Sequence, residues 1–127
     1  MENGSVLIDT SILIDFYRKK NVEKTLFYQL SGNYDFALSI ISEFEFLVGF
    51  PEEKLDFAKE IIKGITIFEI NKIISEEALK IYKNLKKINK LIPFTDLFIA
   101  ATAVSNKIPL ATLNKKHFKY VEGIELT

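Results

Sequence analysis

Cysteine is absent from the chain and histidine occurs once. Without cysteine there is no disulfide framework, no thiolate nucleophile and no thiolate metal ligand. A single histidine beside no cysteine also excludes a structural zinc site of the usual four-ligand kind. Proline is sparse and scattered, at Pro51, Pro93 and Pro109, and no repeat, low-complexity tract or Pro/Gly-rich linker divides the chain. An excess of one charge is missing too: 17 Lys and Arg balance 17 Asp and Glu. A neutral chain is not a bulk DNA-coating protein, which needs a large positive field; a local basic face stays open. No apolar run is long enough to span a membrane. The stretches 36–50 and 91–104 are broken by Glu43, Glu45 and Asp96, and a spanning helix needs about 20 mostly apolar residues. The start, Met1-Glu2-Asn3-Gly4, is acidic and polar, unlike the basic opening of a signal peptide; a cytoplasmic protein is expected. What is present is 127 residues, 48% hydrophobic and 27% charged. That predicts one domain, 1–127, with an ordinary core.

Val6-Leu7-Ile8 predicts a short buried strand, and Asp9-Thr10-Ser11 after it is a cluster of helix N-cap residues. Further strands are expected at 36–39, 65–70, 109–112 and 124–126. Helices are expected over 12–20, 22–30 with Asn21 as cap, 42–49, 51–63 opening on Pro51, 75–89 and 96–106, with one helical turn over 114–118. Ser75-Glu76-Glu77 would put acids at the positive end of the long helix, whose apolar stripe is Ile81, Leu85 and Ile88. Thr95 is the expected cap of the helix from Asp96, and Ala100, Ala101 and Ala103 would let that helix pack closely on a sheet. Strands separated by helices require crossovers, so the expected fold is a three-layer α/β/α sandwich with a mainly parallel sheet of about five strands.

In such sheets, sites form outside the carboxyl ends of the strands. Asp9 lies at the end of the first strand, Glu45 in the first turns of the helix after the second, and Asp96 at the start of the helix leading into the fourth. A crossover helix runs antiparallel to the strands, so all three acids fall along one edge, joined by Thr112 and Asn114. Three or more oxygen ligands converging without His or Cys suit a hard cation, Mg²⁺ or Mn²⁺. Such a cation removes the mutual repulsion of the acids and serves phosphodiester hydrolysis. On position alone, Asp9 and Asp96 read equally well as helix N-caps, and Glu45 as a solvated helix residue.

Four motifs in order resemble the PIN domain, and within it the VapC-type toxins of toxin–antitoxin pairs. Val6-Leu7-Ile8-Asp9-Thr10-Ser11 is similar to that family's opening. Ser39-Ile40-Ile41-Ser42-Glu43-Phe44-Glu45-Phe46-Leu47-Val48-Gly49 resembles its second motif, with Glu45, not Glu43, four residues before the Gly. Asp96-Leu97-Phe98-Ile99-Ala100-Ala101 matches its Asp-x-x-Ile-Ala-Ala pattern, and Thr112-Leu113-Asn114-Lys115-Lys116-His117-Phe118 resembles its closing motif. The resemblance implies strand order 3-2-1-4-5. It also implies a magnesium- or manganese-dependent endoribonuclease with Asp9, Glu45, Asp96 and Asn114 in the catalytic site, usually a homodimer silenced by a cognate antitoxin. The chain departs from the pattern at His117, where the family usually has Asp. Thr112, Asn114 and His117 are thus candidate further ligands, His117 reading equally well as a loop residue or as a group behind the ligands, and a second cation is expected to bind weakly or not at all.

Lys115, Lys116 and Lys119 are candidate RNA contacts near this edge. Lys80, Lys83, Lys87 and Lys90 share one face of the long helix, which reads first as solvated surface and second as a phosphate track. Phe16, Tyr17, Phe44 and Phe46 read as core, with one or two left for a partner groove or dimer seam. A phosphoacceptor receiver domain is the rival parallel-sheet reading, but no Asp follows the third strand at Ile70-Asn71. A catalytically weak module of the same fold, binding only RNA or protein, is the remaining alternative.

Overall fold

The computed structural model describes residues 4–127; the opening Met1-Glu2-Asn3, read above for its charge, lies outside them. Four strands, β1 (Gly4–Ile8), β2 (Tyr34–Ser39), β3 (Thr66–Phe68) and β4 (Leu110–Ala111), form a sheet in the order β3-β2-β1-β4. Every pairing is parallel. The expected fifth strand is reduced to one parallel bridge between Leu110 and Leu126, on the far side of β4. Its place in the order is as expected, but β4 is only two residues long and offers it a single partner.

The strands alternate between two cores, as the period of a pleated strand requires. Leu7, Ala37 and Leu110 point to one face, while Val6, Ile8, Leu38 and Ala111 point to the other. The first face is covered by α5 (Lys72–Lys87), α6 (Phe94–Asn106) and the short α7 (Lys115–Phe118). Ala100, Ala101 and Ala103 of α6 are buried there, so the small residues do bring helix and sheet close. The second face is covered by α1 (Thr10–Arg18), α2 (Leu26–Ser31), α3 (Ile40–Val48) and α4 (Leu55–Ile62). No described helix is long and apolar enough to cross a membrane.

Several boundaries differ from expectation for local reasons. The expected helix 22–30 is broken at Thr25: Asn21 caps only one 3₁₀ turn, and Thr25 then caps α2 by accepting from the Tyr28 N–H at 3.2 Å. The helix expected from Ser42 starts at Ile40, because the buried Ser39 hydroxyl takes the Ile41 N–H. The long helix α5 starts at Lys72, not Ser75. Asn71 accepts from the Ile74 N–H at 3.0 Å, and no acid lies in the first turn. This earlier start adds Ile74 to the buried stripe of Ala78, Ile81 and Leu85, while Ile88, past the last turn, is exposed. Helix α6 begins before Thr95, after Pro93, with no side-chain cap.

Phe118 is the largest fully buried side chain and pins α7 to the first core. Phe118→Ala should cost about 3–5 kcal/mol, the usual range for deleting a buried aromatic. Urea unfolding measures this, and a loss below about 1 kcal/mol would show that α7 is not held by that ring.

Candidate active site

The strand ends place the acids. The β1 backbone is fixed by the Asp9 N–H donating to the Ala111 carbonyl at 3.0 Å, so Asp9 leaves the sheet beside the end of β4. Asp9 is the N-cap of α1, its side chain accepting from the Ser11 N–H at 3.5 Å. It is also 5% exposed, which a plain surface cap is not. Its Oδ2 accepts from the Thr112 hydroxyl at 2.6 Å and from the Ser11 hydroxyl at 3.3 Å. The Thr112 hydroxyl accepts from the Asn114 N–H at 3.0 Å, so its own proton is directed at Asp9. Ser11 Oγ accepts from the Leu113 N–H at 3.1 Å, which ties the start of α1 to the segment after β4.

Glu45 reaches the same edge from α3, where the Thr10 hydroxyl donates to its Oε1 at 2.9 Å. Ser42 and Phe46, on the same side of α3, are buried. Asp96 sits in the first turn of α6 and its Oδ2 lies 3.0 Å from Nδ1 of His117 on α7. Each acid is thus held by hydrogen bonds, Asp9 at both carboxylate oxygens and Glu45 and Asp96 at one.

The three charges act on one another. Burial pushes the Glu45 carboxyl above its ordinary value; the Thr10 hydrogen bond opposes this, and the charges of Asp9 and Asp96 add to it. Burial likewise pushes Asp96 up; the His117 hydrogen bond opposes this, the charge of Asp9 adds to it, and the charge of His117 opposes it. Asp9 therefore disfavours ionisation of both other acids, as clustered carboxylates do.

A folded-state value above the unfolded one means that the proton is held more tightly when folded. That stabilisation is complete below the ordinary carboxylate range and is lost as pH rises through the raised value. In metal-free protein, the gain in melting temperature of Glu45→Gln over wild type should therefore grow between pH 4 and pH 7.5. A gain that is flat or shrinks over this range would show that Glu45 is not under this pressure.

The other residues singled out are placed less tightly. Asn114 is exposed at the start of α7 and engages the site through its backbone N–H. Lys115, Lys116 and Lys119 are exposed, with the Lys119 and Lys90 ammonium groups each 5.1 Å from the centroid of the Tyr120 ring. Of the four aromatics, Phe46 is buried, Phe16 is half-buried, and Tyr17 and Phe44 are exposed. Thr10 and Ser11 read from sequence as cap residues and as part of the opening motif, and neither reading shows that their hydroxyls hold Glu45 and Asp9.

Among the described residues, no three His, Asp and Glu groups form a ready-made ion cluster. The donor chemistry nevertheless fits a hard divalent cation: three carboxylates, hydroxyls behind them, no soft ligand, and mutual repulsion that a cation would relieve.

The chain matches the family model described as the PIN domain over residues 6–124. It is 41% identical over 128 residues to Ribonuclease VapC1 of Methanocaldococcus jannaschii, covering 98% of this chain and 87% of that protein. It is 33% identical to Ribonuclease VapC of Rickettsia bellii, covering 95% of this chain and 93% of that one. Its fold is similar to that of DNA-bound VapBC from Salmonella typhimurium, with a TM-score of 0.85 at 19% identity over 98% of this chain and 97% of that one.

Proposed function

We propose, from the premise that the chain belongs to the PIN-domain family, that it is a Mg²⁺- or Mn²⁺-dependent endoribonuclease and the toxin of a toxin–antitoxin pair. The observation that carries this is the gathering of Asp9, Glu45 and Asp96, each anchored by hydrogen bonds, within electrostatic reach of one another. The ribonuclease names of the two relatives support the substrate. In this reading the three carboxylates hold the cation, which supplies Lewis-acid polarisation of a phosphodiester and neutralises developing charge. Thr112, Ser11 and Thr10 keep Asp9 and Glu45 from rotating away. The exposed Lys115, Lys116 and Lys119 draw the RNA backbone toward the edge. A cognate antitoxin is the proposed protein partner, supported by the VapBC pair of the Salmonella structure. Pairing with a second copy is supported by exposed apolar side chains such as Phe44, Val48, Leu79 and Phe94, which a symmetric interface would cover.

Purified protein incubated with end-labelled RNA tests the reading. Cleavage with Mg²⁺ or Mn²⁺, abolished by EDTA and restored by added cation, is the expected result. RNA bound but uncut under every cation would leave a binding module and overturn the enzyme.

A further inference from the structure

His117 is the chain's single histidine, and its ring is already engaged. Nδ1 lies 3.0 Å from Asp96 Oδ2, and since an ionised carboxylate only accepts, Nδ1 carries the proton. Among the described residues this is the sole side-chain hydrogen bond to Asp96. Asp9 has the Thr112 and Ser11 hydroxyls and Glu45 has the Thr10 hydroxyl, so the imidazole does for Asp96 what hydroxyls do for the other acids. The backbone that carries this donor is held in place. The His117 N–H donates to the Asn114 carbonyl at 2.9 Å, the Lys119 N–H to the Lys115 carbonyl at 3.0 Å, and Phe118 next to it is fully buried. The segment that fixes Asp9 through Thr112 therefore also fixes Asp96 through His117. We infer that His117 is a positioning residue: it orients Asp96 by an Nδ1–H hydrogen bond, leaving the other carboxylate oxygen to face the cation, and is not itself a ligand.

The inference rests on the metal reading above, and the test separates the two. The first arm needs no metal. In ¹⁵N-labelled, metal-free protein at pH 8, the single imidazole should show the Nδ1–H tautomer; the Nε2–H tautomer would overturn the inference and leave the metal reading standing. The second arm is calorimetric titration of metal-free protein with Mn²⁺. His117→Ala should weaken binding about tenfold or more, the usual effect of losing a group that orients a ligand. His117→Asn, whose amide can take the place of Nδ1–H, should stay within about threefold of wild type, while His117→Gln, which reaches the Nε2 position, should behave like His117→Ala. Rescue by Gln and not Asn would make His117 a ligand, and unchanged affinity in all three would give it no role; either overturns the inference. If the Ala variant does not fold, the Asn and Gln pair decides alone. A wild-type protein that binds no Mn²⁺ overturns the metal reading and this inference together.

Discussion

Asp9→Asn and Asp96→Asn should each reduce RNA cleavage by about a thousandfold or more, ~4 kcal/mol of transition-state stabilisation at 1.36 kcal/mol per tenfold. Each substitution keeps shape and hydrogen-bonding capacity but removes one of three charges that would hold the cation. The fold should survive both. Asn is as good an N-cap as Asp, so α1 keeps its cap, and the Thr112 and Ser11 hydroxyls can rotate to meet an amide. The metal-free Asp9→Asn protein should melt at or above the wild-type temperature, because the charge of Asp9 raises the ionisation cost of both Glu45 and Asp96. Cleavage at the wild-type rate under matched cation would remove that residue from the site. A large fall in melting temperature would make the loss of activity a folding effect.

The edge on which the acids lie was legible because topology alone sets it. Once strands alternate with helices in a parallel sheet, a residue after a strand or at the start of the next helix has only one edge to occupy. The alternation of Val6, Leu7 and Ile8 between two cores follows in the same way from the period of a strand. The partners of the acids were not legible, because they depend on distances between elements far apart in sequence. Thr10 meets Glu45 across 35 positions and Thr112 meets Asp9 across 103. His117 reads from sequence equally as a loop residue, a ligand or a group behind a ligand, and nothing in the sequence singles out Asp96 as the partner of its ring.

The misplaced helix starts have a common cause. Asn71 and Ser75 are both good caps, and the choice falls to whichever start buries the better stripe. Starting after Asn71 buries Ile74 and Ala78 at 4% exposure each, which a start at Ser75 would forgo for Ile74. At α6 the cap is dispensable because Leu97, Ile99 and Ala100–Ala103 are buried along most of the helix; tertiary packing supplies what the terminus lacks. The fifth strand failed for want of a partner, since β4 ends after Ala111 and the chain turns through Thr112 into the site.

Glu45→Gln should cost far more activity than Glu43→Gln: about a hundredfold or more against less than about threefold, or ~2.7 against under ~0.7 kcal/mol. The two residues differ by about 200° around α3, so one helix cannot aim both at Asp9. Of the two, it is Glu45 whose Oε1 takes the Thr10 hydroxyl and whose carboxyl feels the charges of Asp9 and Asp96. Gln at this position can still accept from Thr10, so the variant isolates the charge from the hydrogen bond. Glu43 makes no side-chain hydrogen bond among the described residues, and its loss should leave both cleavage and the cation requirement near wild type. Titrating Mg²⁺ against initial cleavage rate for both variants and wild type separates the cases. Saturating cation should not restore Glu45→Gln to the wild-type rate, because a missing ligand lowers the rate as well as the affinity. Equal losses for the two variants, or a larger loss at Glu43, would mean that α3 presents a different face to the site than the Thr10–Glu45 contact requires.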